Sequence, residues 1–179
     1  YGCIPTKTLL ASAELFNAVN DAKAFGIYVG EVRADLQKIM ERKCQVIQSL
    51  GDGIRKTFDK RKVRFINGTG TVISPTRIRV ASVSGVEEVD AETVIIATGS
   101  NPATMPFVDV DKPAVLTSTD ALESDKLPQT ILIIGGGAIG LEFACFFNAL
   151  GTKVTVVEVM DYILPDGDKR ISRQMTQNL

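Results

Sequence analysis

Gly135, Gly136, Gly137, Ala138, Ile139 and Gly140 form a G-x-G-x-x-G run, residue types that let a backbone turn tightly against a phosphate. Alone, such a run is weak evidence. Here it follows an apolar stretch, Thr130 to Ile134, and opens a helical pattern through Leu141. A second apolar stretch, Lys153 to Val157, then ends in an acid, Glu158, 18 residues after Gly140. That order is the context a dinucleotide fingerprint requires. Gly135 permits the tight turn, Gly137 lets the backbone approach a pyrophosphate at the helix N-terminus, and Gly140 lets the helix lie close to the strand. Glu158 would accept from the ribose hydroxyls and repel a 2′-phosphate, so the pattern predicts NAD over NADP.

A second constellation stands at the other end of the chain. Cys3 and Lys7 are four apart and therefore share one face of a helix. At a helix N-terminus near a lysine, a thiolate is favoured by the dipole and by the ammonium charge, as a redox sulfur needs. The same spacing suits a small buried residue with an unrelated lysine nearby, and spacing alone does not choose. Cys44 and Cys145 fit no catalytic pattern; Cys145, among Phe143, Phe146 and Phe147, reads as a core residue. The three cysteines are too widely spread for a zinc site or a disulfide framework, so no metal is expected.

The elements that must position these residues follow from periodicity. Leu9, Leu10, Ala13, Phe16 and Val19 predict a helix from Pro5 to about Phe25, closed by Gly26. A second helix follows Ala34, with Leu36, Met40, Ile47, Leu50, Ile54 and Phe58 on one stripe and the basic cluster Arg55 to Lys62 on its solvated end. The period then turns extended. Val63–Ile66, Thr71–Ile73, Arg77–Val80 and Val86–Val89, separated by turn residues, predict an antiparallel β-meander. Thr93–Ala97 reads as a strand buried on both faces of a parallel sheet, followed by the Thr98-Gly99-Ser100 turn. Asn101 to Pro113 looks like a crossing between domains. A short helix near Ser118 to Glu123 precedes a βαβ unit: strand Thr130–Ile134, turn Gly135–Gly140, helix Leu141–Leu150, strand Lys153–Val157. Asp166 to Asn178 supplies a further helical segment.

Composition narrows the partners. With 20 basic and 21 acidic residues the chain has no field to draw nucleic acid or an anionic membrane. The apolar stretches are too short to span a bilayer, and no leader-like segment opens the sequence, so a cytoplasmic protein with small-molecule or protein partners is expected. Histidine is absent, so a mechanism needing an imidazole base is not completed by these residues.

Gly2-Cys3-Ile4-Pro5-Thr6-Lys7 resembles the second half of the redox element of the pyridine nucleotide-disulfide oxidoreductases, whose first cysteine would lie just upstream of Tyr1. Asn67-Gly68-Thr69-Gly70, Thr93 to Ser100, and Gly135 to Glu142 with Glu158 also resemble that family, in matching order and spacing. The resemblance implies an α/β fold of Rossmann-like FAD- and NAD(P)-binding domains, incomplete here. Residues 1–115 would be the C-terminal part of the FAD domain (helices, meander, closing strand), and residues 116–179 the first half of the NAD domain. It further implies that Cys3 is the flavin-side sulfur, that Lys7 sits beside flavin N5, and that Gly70 meets the FAD adenine. Thr98, Gly99 and Ser100 would close the FAD-binding strand, and Glu142 would approach the nicotinamide and pair with Lys7.

Within the family, Glu158 argues against the NADP-linked glutathione and mercuric reductases. Val156-Val157-Glu158 with Asp161 and Ile163-Leu164-Pro165 is most similar to the branch that oxidises dihydrolipoamide. That branch implies FAD and NAD as cofactors, the lipoyl domain of a 2-oxoacid dehydrogenase complex as partner, and a homodimer. Another NAD(P)-linked disulfide reductase, or a non-catalytic nucleotide-binding module, is the alternative. Read as a piece that begins inside the redox motif, the isolated chain is expected to lack activity and to bind FAD poorly.

Overall fold

The computed structural model describes residues 2–103 and 105–178, the last by its backbone alone; Thr104, inside the expected crossing, lies outside the described residues. The chain divides into two compact units, one of residues 1–49 with 104–179, the other of residues 50–103.

In the first unit, α1 (Cys3–Asn20) runs into a 3-10 turn over Asp21–Phe25. The turn ends at Gly26 in the left-handed conformation, φ 78°, with Ile27 N–H returning to the Ala22 carbonyl. This is the glycine stop expected from the sequence. α2 (Leu36–Arg61) starts in this unit, where Leu36, Ile39 and Met40 pack on the core. Its later apolar residues Ile47, Leu50 and Ile54 are exposed, so only the first part of the expected stripe is buried. α3 (Ser118–Leu122) is short but carries a complete capping box. Thr117 Oγ1 accepts from Asp120 N–H, and the Asp120 carboxylate accepts from the Thr117 hydroxyl and then the Thr117 N–H, which hold it below its usual range.

The remaining elements are β4 (Thr130–Ile134), α4 (Ala138–Ala149), β5 (Lys153–Val157) and α5 (Lys169–Asn178). β4 and β5 pair in parallel, Thr130 beside Lys153 through Ile134 beside Val157. α4 is the crossover between them. Its Phe143, Phe146 and Phe147 join Leu9 and Ala13 of α1 and Ala121 and Leu122 of α3 in the core. Polar anchors lock α2 to that core: Lys43 Nζ donates to the Leu122 carbonyl, and Arg42 Nη1 donates to the Thr8 carbonyl at 3.0 Å.

The second unit is a meander of β1 (Thr69–Ser74), β2 (Arg77–Ser82) and β3 (Gly85–Asp90), antiparallel throughout. Opposite charges face each other across β2 and β3, Arg77 against Asp90 and Arg79 against Glu88. α2 ends here in the same bonded pattern as the 3-10 turn, but on Lys62 at φ 56°, with Val63 N–H returning to the Phe58 carbonyl. Phe65 is turned back to Phe58, ring centroids 6.1 Å apart.

Four expectations need correction. Val63–Ile66 forms no strand, because the helix stop turns Phe65 toward α2. Thr93–Ala97, the expected closing strand, is likewise not a strand: Ile95 and Ile96 are exposed, at 85% and 72%. An apolar run becomes a buried parallel strand only beside neighbours that take up its N–H and C=O groups, and no described strand pairs with it. α4 begins at Ala138, not Leu141, so the last three residues of the glycine run belong to the helix. Cys145 is exposed, since α4 buries its phenylalanines on one face and turns Cys145 off it.

These burials predict a contrast. Phe146→Ala should cost the first unit about 3–5 kcal/mol, whereas Ile95→Ser should stay within about 0.5 kcal/mol. Urea denaturation of the two variants of this chain checks both; a large loss in Ile95→Ser would show that the run is buried after all.

Candidate functional site

The glycine run is held by two backbone–backbone bonds and one bond to a carboxylate side chain. Gly135 takes φ 111°, which a side chain resists, and its N–H donates to the Val157 carbonyl at 2.8 Å. Gly136 N–H donates to Glu158 Oε2 at 2.7 Å, and its carbonyl accepts from Leu164 N–H at 2.8 Å. Gly137 is the N-cap of α4, whose first helical bond runs from Leu141 N–H to the Gly137 carbonyl. The N–H groups of Ala138, Ile139 and Gly140 therefore stand in the first turn without an intrahelical acceptor.

The glycines differ in what a side chain would meet. A Cβ at Gly140 would collide with the Gly135 carbonyl oxygen and press on Ile133. One at Gly136 would lie 3.1 Å from Ile163 Cγ2 and 3.2 Å from Glu158 Cβ. At Gly137 nothing lies within 4 Å, so the backbone faces open space. Tight packing behind the loop, open space in front and unpaired N–H groups beside it fit a dinucleotide pyrophosphate.

Glu158, half-buried at the tip of β5, accepts from Met160 N–H at 2.9 Å through Oε1 as well as from Gly136 through Oε2. The Met160 N–H, then the Gly136 N–H, hold its carboxyl below its usual range. It is ionised at neutral pH and already ties the loop to the second strand.

Lys7 and Glu142 meet: Nζ donates to Oε1 in an ion pair between α1 and α4. Lys7 is largely exposed, so the pair is worth roughly 0–1 kcal/mol, and its importance is positional. Glu142 also borders an apolar cavity of about 420 Å³ lined by Leu10, Ala13, Leu141, Cys145 and Leu164. Cys3 is exposed at the first residue of α1, below Gly2 at φ 104°. Thus Lys7, Glu142, Glu158 and Gly135 to Leu141 fall in one unit with Cys3, while Gly70 and Thr98 to Ser100 fall in the other. Gly70 lies within β1 opposite Val80, and Gly99 takes φ 74°. Neither unit by itself gathers the residues expected to meet a flavin.

Sequence reasoning missed the part that Ile163, Leu164 and Ser172 play behind the glycine loop. Leu164 and Ile163 contact the glycine loop, and Ser172, fully buried, donates to the Leu164 or the Asp168 carbonyl. No periodicity marks these residues; Ile163-Leu164-Pro165 is visible only as a family-like run.

Two outcomes follow. Gly140→Ala should abolish NAD binding in calorimetry and lower the melting temperature, since the obstruction is backbone and does not give way. The stabilisation from Glu158 belongs to a carboxyl with a lowered folded-state pKa. It should therefore be complete above the ordinary carboxylate range and fade as the pH falls through the folded-state value, with a carboxyl carbon titration by NMR as the check. A Glu158 that titrates like a free carboxyl would contradict the two bonds.

Comparison with known proteins bears on this geometry. A dihydrolipoyl dehydrogenase of Bacillus subtilis (strain 168) is 39% identical over 183 residues, covering 97% of this chain and 39% of that protein. A dihydrolipoamide dehydrogenase of Chaetomium thermophilum is 39% identical over 181 residues, covering 99% of this chain and 36% of that protein. The chain thus spans about two-fifths of the length of the curated relatives it matches. Among solved structures, the Cu(II) complex of HOCl-induced flavoprotein disulfide reductase RclA from Escherichia coli superposes with a TM-score of 0.74 at 29% identity, over 99% of this chain and 37% of that one. The family described as pyridine nucleotide-disulphide oxidoreductase matches residues 1–179, and the chain belongs to it.

Proposed function

We propose that this chain is part of an NAD-linked flavoprotein disulfide oxidoreductase of the dihydrolipoamide dehydrogenase type. The carrying observation is that α1, which presents Cys3, is joined by Lys7 and Glu142 to α4, the helix opened by the glycine run. A redox sulfur and a nucleotide helix in one packed unit suit electron transfer from thiols to NAD. Residues 1–115 are assigned to the FAD-binding domain and residues 116–179 to the NAD-binding domain, with Gly70 and Thr98 to Ser100 on the flavin.

In this reading Cys3 is the flavin-side sulfur of a disulfide shared with the first cysteine of the family's redox element; exchange with dihydrolipoamide reduces that disulfide to two thiols, and the substrate's two thiols leave as a disulfide. FAD and NAD, when bound, supply the two-electron relay and the hydride acceptor. Of the two thiol hydrogens, the equivalent of one is carried to NAD as hydride together with both electrons, and the other is released as a proton. The chain has no histidine, so a step that needs an imidazole base is not completed by these residues. Lys7, positioned by Glu142, sets the charge beside the relay. The first-turn N–H groups of α4 take the pyrophosphate, and Glu158 receives the ribose hydroxyls and excludes a 2′-phosphate. The lipoyl domain of a 2-oxoacid dehydrogenase complex is the partner, in a cytoplasmic homodimer. No helix among the described residues is long and apolar enough to cross a membrane.

In the whole protein, Cys3→Ser should abolish NAD reduction by dihydrolipoamide while leaving NAD affinity unchanged, as read by steady-state kinetics and calorimetry. Glu158→Gln should weaken NAD about tenfold, roughly the value of one charged hydrogen bond, and erase the preference over NADP. Full turnover in Cys3→Ser would sink the disulfide reading; equal affinity for NAD and NADP in the unaltered protein would sink the NAD assignment.

A further inference from the structure

Two described residues other than glycine have positive φ, Lys62 and Leu164. Lys62 ends a helix, a common use of that conformation. Leu164, at φ 52°, ends nothing. It also precedes Pro165, whose ring crowds the preceding residue's backbone. A strained residue persists only where its surroundings over-determine it, and here they do. Leu164 N–H donates to the Gly136 carbonyl at 2.8 Å, and its own carbonyl accepts from Gly167 N–H at 2.9 Å and lies 3.3 Å from the buried Ser172 hydroxyl.

The consequence lies one peptide further on. In a trans peptide the C=O and the next N–H point in opposite directions, and no described peptide bond is cis. Drawing the Gly136 carbonyl toward Leu164 therefore aims the Gly137 N–H away from the 158–164 segment, on a residue with nothing within 4 Å of its Cβ position. Glu158 holds the N–H of the preceding Gly135–Gly136 peptide, so Gly136 is pinned through both of its backbone groups. Were this peptide to flip, a carbonyl oxygen would replace an N–H at the mouth of α4 and repel an incoming diphosphate.

We propose that Leu164 is a positioning residue for the dinucleotide, its left-handed backbone conformation orienting the Gly136–Gly137 peptide so that the Gly137 N–H faces the pyrophosphate. This rests on the nucleotide reading of the glycine run and adds to it a determinant outside the run. What matters is the backbone of Leu164, and the side chain is secondary.

The test ranks substitutions on this chain by NAD affinity in calorimetry, with circular dichroism confirming the fold. Leu164→Gly and Leu164→Asn, which tolerate the conformation, should bind NAD within about threefold of the unaltered chain, and Leu164→Val should bind at least roughly tenfold more weakly. An apolar packing role predicts the reverse order, with Val best and Gly worst, and that result overturns the proposal. Amide hydrogen exchange without ligand gives a second readout: Leu164 N–H should be protected, Gly137 N–H should exchange freely, and Leu164→Val should lose the protection at 164. If the unaltered chain binds no NAD, the nucleotide reading fails, and the exchange pattern still decides whether Leu164 orients the peptide. Free exchange at Leu164 overturns it.

Discussion

The close approach of α4 to the end of β4 is the constraint from which the first unit follows. Gly140 sits where any side chain would strike the Gly135 carbonyl oxygen, so the helix lies against the strand at a distance only glycine allows. From that position α4 directs Phe143, Phe146 and Phe147 onto Leu9 and Ala13 of α1. Their burial supplies most of the cohesion, because fully buried aromatic side chains dominate core energetics. The same placement brings Glu142 to Lys7 and leaves the first-turn N–H groups outward.

Energy and position are divided between different groups. The Lys7–Glu142 pair adds little stability, being partly solvated, yet it fixes which turn of α1 faces which turn of α4. Glu158 does the complementary job at the other edge: its ionised carboxylate accepts two backbone N–H groups and ties the glycine turn to β5. Carboxylates bonded in this way keep their charge, so the group proposed to receive the ribose is also a structural one. The second unit depends on no comparable core. Val80 is its one buried hydrophobic among the described residues, and cross-strand arginine–carboxylate pairs line β2 and β3.

Much of this was legible because it is local. The left-handed stop at Gly26, the meander turns, the parallel strands around the glycine run and the acid 18 residues beyond Gly140 are each set by neighbours within a few residues or by a spacing that one βαβ unit imposes. Thr93–Ala97 was misread for the opposite reason. Its apolar, β-branched character states that it suits a buried strand, but a strand exists only through the partners that take its hydrogen bonds, and composition carries no information about partners. The start of α4 was misplaced by three residues because glycines read as turn, while the helix needs only their N–H groups left free and their backbone in helical geometry.

By itself, then, the sequence determined the nucleotide fingerprint, the choice of an acid at the second strand tip and the helical register of Cys3 with Lys7, all consequences of fixed backbone periods. Spacing alone does not connect Lys7 with Glu142, 135 residues away; the family resemblance implies the pair and the tertiary structure forms it, whereas the tertiary structure alone decided that Cys145 faces a cavity rather than the core. It also decided that Leu164 reaches back to Gly136. These depend on how helices and loops pack across the chain, and packing is set by volumes and hydrogen bonds that meet only once the backbone has folded.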